Sequence, residues 1–440
     1  MTALWCLYNF LFPIVFLLLL PKYLLRMAKR GGYAKDFPER FGSYPPLVKE
    51  KLSAPGPVVW VQAVSVGEIG IARSFIDALC PLVPEARFVL STNTSTGYAL
   101  AKKAEAASQG RVEAVYFPLD FPPFVRRAFR AIAPDLLVLV ENEMWPNVMR
   151  RAVAENVPML LVNARISEHS FRGYRKIRFL TRDLLPKLSR VCAQSDGDRE
   201  RLLALGARAE AVETTGSAKY DIPPTAPDAA AKAKAYLAGI FPPDALVACG
   251  GSTWPGEEAF LLDWFGEARK KFPHLRLVLV PRHAERRGEV AGEIARRGFR
   301  YAQKSLPEKA APEGGADVAL VDTTGELRGF YAASDLVFVG KSLFEKGGQN
   351  PIEPAADGKA VITGPHLENF PAIREDFLAA EAMRVAKDGT GVREAMDALL
   401  ADGAAREAMG KRARDLVRAK AGATRKMALR AVELLHTRRA

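Results

Sequence analysis

Nine consecutive residues, Gly347-Gly348-Gln349-Asn350-Pro351-Ile352-Glu353-Pro354-Ala355, follow the apolar run Leu336 to Gly340 and have the composition of an anion site. A strand, a glycine-bearing loop and then Asn-Pro at the head of a helix would turn free first-turn N–H groups and the positive end of the helix dipole toward a phosphate. Asn350 suits the capping position and Pro351 the first helical one. Glu353 then lies on the first turn, where a carboxylate can accept hydrogen bonds from both hydroxyls of a ribose. The same pattern also describes a capped surface helix after a buried strand, so its meaning depends on what else the chain places at strand ends.

Several other stretches offer chemistry at such ends. Ala63-Val64-Ser65-Val66-Gly67-Glu68-Ile69-Gly70 ends an apolar run and puts Glu68 at a helix start, where it can cap the helix or act as a general base. Val140-Glu141-Asn142-Glu143-Met144-Trp145 places two acids beside a tryptophan, a composition that favours a polar cleft wall over a core. The loop Asn163-Ala164-Arg165-Ile166-Ser167-Glu168 follows the next run. Further on, Lys219 stands where a cation can neutralise a phosphate or carboxylate, although a surface lysine reads the same way. In the second half, Gly250-Gly251-Ser252-Thr253 is a small-residue turn, Pro281-Arg282-His283 offers a forked guanidinium, and Asp322-Thr323-Thr324-Gly325-Glu326-Leu327 offers turn backbone and a carboxylate. With the opening stretch, these loops make a nucleotide pocket the favoured reading of the second half.

The elements that must position these loops are short apolar runs alternating with helical stretches. Strands are expected near 58–64, 87–91, 113–117, 136–140, 159–162, 190–194 and 211–215, and again near 246–250, 275–280, 317–321, 336–340 and 360–363. Near-continuous apolar strands separated by helices imply parallel sheets covered on both faces, hence an α/β chain of two doubly wound units. Ligands then bind beyond the carboxyl ends of the strands. The division expected is 1–35, an N-terminal anchor with a basic flank; 36–220, a first Rossmann-like domain; 221–243, a linker; and 244–440, a second domain with terminal helices.

Residues 3–20 carry no charge and are followed by Lys22, Arg26, Lys29, Arg30 and Lys35, which predicts a transmembrane or deeply inserted anchor with the rest of the chain on the cytoplasmic side. A net charge of +13 calls for an anionic partner: nucleic acid, an acidic membrane surface or a phosphorylated substrate. Basic residues that flank the anchor or punctuate helices, without interleaved aromatics on one face, argue against nucleic acid. Four cysteines and five histidines show no metal-ligand spacing, so no metal is expected.

In order along the chain, Ser-Val-Gly-Glu, Glu-x-Glu-x-Trp-Pro-Asn, Asn-Ala-Arg-x-Ser, Val-Pro-Arg-His, Gly-Glu-Leu and Asn-Pro-x-Glu-Pro-Ala resemble the 3-deoxy-D-manno-octulosonic acid (Kdo) transferases of Gram-negative bacteria. The resemblance runs from the anchor to about residue 375. It implies a GT-B fold, two Rossmann-like domains facing across a cleft, and metal-independent inverting transfer with no cofactor. The donor it implies is CMP-Kdo, and the acceptor a phosphorylated lipid A precursor at the cytoplasmic face of the inner membrane. Carried over, Glu68 matches the general base, and Glu141 and Lys219 match transition-state stabilisers, with Glu143 close enough to leave the acidic assignment open. Pro281, Arg282, Thr324, Gly325, Glu326, Asn350, Pro351, Ile352 and Glu353 match CMP-contacting positions. The chain departs from the usual pattern at Gln349 for histidine, Thr324 for methionine, Lys341 for glycine and Trp254-Pro255 for His-Glu, which makes it a divergent member. Two alternatives remain at this stage: a GT-B enzyme using a different nucleotide sugar, and a non-catalytic membrane-anchored binding protein.

Overall fold

The computed structural model describes residues 3–30, 36–306, 312 and 314–439, with backbone alone at 3, 4, 15, 19, 22–30 and 439. Two compact units emerge: Met1–Asp221 together with Gly422–Ala440, and Ile222–Ala421.

The first unit is a seven-stranded parallel sheet. Its strands are β1 (Val58–Gln62), β2 (Arg87–Thr92), β3 (Val112–Tyr116), β4 (Leu136–Val140), β5 (Met159–Ala164), β6 (Arg190–Ala193) and β7 (Val212–Thr214), in the spatial order β3-β2-β1-β4-β5-β6-β7. Every residue of β1, β3, β4 and β5 is buried, because helices cover both faces and leave neither side of the pleat to solvent. The order reverses direction between β1 and β4, so the loops after those two strands flank the sheet's switch point.

The second unit repeats the plan with β8 (Leu246–Thr253), β9 (Leu275–Pro281), β10 (Tyr301–Gln303), β11 (Val318–Leu320), β12 (Leu336–Val339), β13 (Ala360–Thr363) and β14 (Arg384–Val385), ordered β10-β11-β9-β8-β12-β13-β14. Here the switch point lies between β8 and β12. Strands β10 and β14 were not expected from the sequence. They are three and two residues long and sit at the sheet's two edges, where one-sided pairing needs no apolar run.

Two sequence readings are corrected. The last helix, Ala423–Arg439, belongs to the first unit, not the second. Its residues Ala423, Met427, Ala428, Ala431 and Leu435 are buried in the same core as Ile69, Phe75 and Val138, a return that alternation along the chain does not reveal. At the other end Ala3–Arg30 is helical, but among the described residues no helix is long and apolar enough to cross a membrane. Its first turns dock on the first unit: Trp5 is fully buried and donates to Asp183 at 3.0 Å, and Tyr8 donates to Asp120 at 2.9 Å. Asn147 donates to Asn9 at 2.8 Å. Leu7, Phe10, Leu11, Ile14, Leu17 and Leu18 stay exposed. The side chains of the basic flank at Lys22, Arg26, Lys29 and Arg30 are not described, and Lys35 lies outside the described residues.

Candidate active site

In the first unit, Ser65 has extended backbone and caps the helix Val66–Leu79, its hydroxyl accepting from the Glu68 N–H at 3.2 Å. Glu68 reaches back, accepting from the Val64 N–H at 2.7 Å and from the Ser65 hydroxyl at 2.9 Å. This reciprocal cap fixes the carboxylate in direction while each oxygen keeps lone-pair capacity for another proton. The structure therefore places Glu68 as a helix cap, with acceptor capacity left on both carboxylate oxygens.

Two left-handed residues stand at the carboxyl ends of neighbouring strands: Glu141, at φ 60°, directly follows β4, and Asn163, at φ 52°, is the penultimate residue of β5. Left-handed backbone at non-glycine residues costs energy and clusters where a site demands it. The Glu141 N–H still donates to the Val162 carbonyl at 2.9 Å, so the turn begins only after the last ladder bond. Asn163 is buried and braces the neighbourhood, donating to Glu141 at 3.4 Å and accepting from the Ala218 N–H at 2.9 Å. That second bond holds the short 3-10 turn Ala218–Tyr220, which carries Lys219.

The charges of Glu68, Glu141, Lys219 and Arg165 act on one another. Burial pushes the Glu141 carboxyl up, Lys219 and Arg165 pull it down, and Glu68 adds to the push. Burial pulls the Lys219 ammonium down, and Glu141 and Glu68 oppose that. Glu143 is pushed up to about 7, chiefly by burial and against hydrogen bonds from Trp145 and Gln62; the Trp145 bond is 2.5 Å. Gln62 also accepts from Ser91 at 2.6 Å, and Ser91 from Trp60 at 2.8 Å, so Glu143 ends a buried polar chain running into the sheet.

In the second unit, Pro281 ends β9 and pairs with Thr253, and the Arg282 N–H donates to the Thr253 carbonyl at 3.0 Å, leaving its guanidinium exposed at the carboxyl edge. Gly251 lies against Tyr331, where an added Cβ would fall 2.2 Å from a ring carbon. Thr324 and Gly325 are exposed in the turn before the helix Leu327–Ala333, and Glu326 pairs with Lys304 at 3.6 Å. Asn350 accepts from the Ile352 N–H at 3.1 Å, and the helix Ile352–Ala356 that follows Pro351 is one short turn. Burial pushes the Glu353 carboxyl up, opposed by Arg328, Asn350 and Arg282. The structure thus brings Arg282 near Glu353, whereas Thr324, Gly325 and Glu326 follow β11, one strand further from the switch point than β9.

Among the described residues no group of three or more His, Cys, Asp or Glu side chains is arranged to hold a metal ion.

Residues 35–222 match the family model of 3-deoxy-D-manno-octulosonic-acid transferase (kdotransferase). A 3-deoxy-D-manno-octulosonic acid transferase of Bordetella pertussis is 36% identical over 411 residues, 92% of this chain and 93% of the relative. The chain belongs to the Kdo transferase family. The enzyme of the same name from Haemophilus influenzae is 31% identical over 405 residues, 92% of each chain. Anabaena HepE, solved with UDP, matches with a TM-score of 0.56 at 14% identity, over 87% of this chain and all of that one, a likeness of fold alone. This Kdo transferase is accordingly a glycosyltransferase of GT-B fold.

Two groups in this Kdo transferase escaped sequence reasoning. Gln62 ends a strand that reads as purely apolar. Glu257 is fully buried at the start of the helix Glu257–Ala268 and accepts from four backbone N–H groups: Trp254 at 2.9 Å, Lys341 at 2.8 Å, Ser342 at 2.9 Å and Leu343 at 3.0 Å. An acid just after Pro255-Gly256 signals a helix start, but nothing local shows that it ties the loop after β8 to the loop after β12.

Proposed function

We propose that this Kdo transferase moves Kdo from CMP-Kdo to a sugar hydroxyl of a phosphorylated lipid A precursor such as lipid IVA, in lipopolysaccharide core biosynthesis at the cytoplasmic face of the inner membrane. The observation that carries the reading is the mutual electrostatic influence of Glu68, Glu141 and Lys219, which follow β1, β4 and β7 at the carboxyl edge of the first sheet, with Asn163 bracing both Glu141 and the Lys219 turn. In this mechanism Glu68 takes the proton of the acceptor hydroxyl as its oxygen forms a bond to the anomeric carbon of Kdo from the face opposite the leaving group. The anomeric carbon–oxygen bond to phosphate breaks, CMP departs with the electron pair, and configuration inverts. Lys219 and Glu141 balance charge around the reacting atoms from fixed positions, so little reorganisation is needed as charge develops.

On the donor side, Arg282 meets the phosphate, Pro281 and the turn Thr324-Gly325-Glu326 border the nucleotide, and Asn350, Pro351 and Ile352 supply backbone to it. Glu353 accepts from the ribose hydroxyls. Neutralising the phosphate makes CMP a good leaving group, so the transfer is proposed to run without a metal. Attachment to the membrane rests on the exposed Leu7, Phe10, Leu17 and Leu18 lying in the lipid interface rather than across the bilayer.

The test is Glu68→Gln. Turnover of CMP-Kdo falls by about 100-fold or more, the usual range for a lost general base, while CMP affinity is unchanged. Wild-type turnover in this variant would remove Glu68 from the mechanism.

A further inference from the structure

Two residues past the end of β12, after Gly340, comes Lys341, a lysine held in left-handed backbone at φ 56°. Its backbone is tied from both sides: its N–H donates to Glu257 at 2.8 Å, and its carbonyl accepts from the Gly348 N–H at 2.9 Å. Those bonds hold a conformation that an isolated lysine rarely adopts, and they aim its side chain back over the loop after β8. There the ammonium sits 4.3 Å from the centroid of the Trp254 ring, and Trp254 meets His283 edge-on at 5.5 Å.

A cation resting on an aromatic face is fixed in place yet keeps N–H donors on its far side. Among the described residues no carboxylate pairs with Lys341; the nearby Glu257 directs both oxygens at backbone N–H groups. The two loops that carry Lys341 and Trp254 flank the switch point of the second sheet, the place where doubly wound sheets receive ligands. The exposed Arg282 and His283 follow the adjacent strand β9.

We infer that Lys341 is a specificity-determining residue: its ammonium, parked on Trp254 while Glu257 holds the Lys341 backbone, receives an anionic oxygen group of the donor. The inference rests on the proposed CMP-Kdo reading, which offers two such groups, the phosphate of CMP and the carboxylate of the sugar acid. Both have the charge and acceptor geometry that a single ammonium serves.

The experiment compares full-length wild type, Lys341→Met and Lys341→Arg in two measurements: calorimetric titration with CMP, and steady-state kinetics with CMP-Kdo and a tetraacylated lipid A precursor. The expected result for Lys341→Met is a KM for CMP-Kdo raised about tenfold, the loss of one charge-assisted hydrogen bond, with kcat within about threefold of wild type and Lys341→Arg close to wild type. An equal loss of CMP affinity assigns the contact to the phosphate. Unchanged CMP affinity assigns it to the sugar carboxylate. Wild-type KM and CMP affinity in Lys341→Met overturn the inference while leaving the proposed reaction standing. A wild-type enzyme that neither binds CMP nor consumes CMP-Kdo overturns the reaction and this inference together.

Discussion

Glu257→Gln is the sharpest perturbation of the donor-side architecture, because the two side chains are nearly the same shape and differ in what they can accept. In the native protein one oxygen of Glu257 takes the N–H groups of Ser342 and Leu343, and the other those of Lys341 and Trp254. Glutamine keeps one carbonyl oxygen and turns an NH2 group, a donor, toward the other pair. Two hydrogen bonds to a buried charge are lost at roughly 1.5–3 kcal/mol each, or about 3–6 kcal/mol together. Burial pushes the Glu257 carboxyl up, and removing its charge returns part of that cost, so the lower end of the range is expected. The readout is amide hydrogen exchange. Protection of one pair, either Ser342 and Leu343 or Lys341 and Trp254, falls by about 100-fold or more, since each 1.4 kcal/mol is a factor of ten, and CMP affinity falls with it. Wild-type protection at all four amides would refute the assignment of Glu257 as the tie between these loops.

Other outcomes follow from the same structure. Glu143 holds its proton up to about pH 7 when folded, against an ordinary value of 4.5, so the folded state binds more protons between those pH values and stability falls as pH rises through them. Glu143→Gln removes that cost: its melting temperature exceeds wild type above about pH 7, by at most a few kcal/mol in stability, and the advantage disappears below about pH 4.5. A pH-independent difference would mean that Glu143 is not held protonated. Gly348→Ala places a Cβ 2.7 Å from the His366 carbonyl oxygen at φ 72°, which lowers stability by about 1–3 kcal/mol in thermal unfolding; an unchanged transition would contradict the geometry. Replacing Phe10, Leu17 and Leu18 with serine lowers co-sedimentation with vesicles containing acidic phospholipid at least about tenfold, and unaltered sedimentation would place membrane attachment elsewhere.

Much of the scaffold was legible because buried parallel strands announce themselves as uninterrupted apolar runs. Runs such as Leu136–Val140 and Leu336–Val339 need no tertiary information to be recognised. The short edge strands β10 and β14 lack such a run, and the docking of Ala423–Arg439 onto the first unit depends on a chain return that no local pattern encodes. At the site, residue type and strand-end position singled out Glu68, Glu141, Lys219 and Arg282. What stayed hidden was the support: the part of Asn163 in bracing both Glu141 and the Lys219 turn, and Glu257, whose four partners come from two loops more than eighty residues apart in sequence. Lys341 and Trp254, two residues that look unrelated in sequence, meet face to face once β8 and β12 pair.

The central claim is transfer of Kdo by Glu68-assisted attack, and product mass tests it most directly. The purified protein in detergent, incubated with CMP-Kdo and a tetraacylated lipid A precursor, is expected to add mass to the lipid in whole Kdo units, with Glu68→Gln giving no product over the same time. A lipid of unchanged mass, with CMP-Kdo neither bound nor consumed, would contradict the claim and point to a different nucleotide sugar.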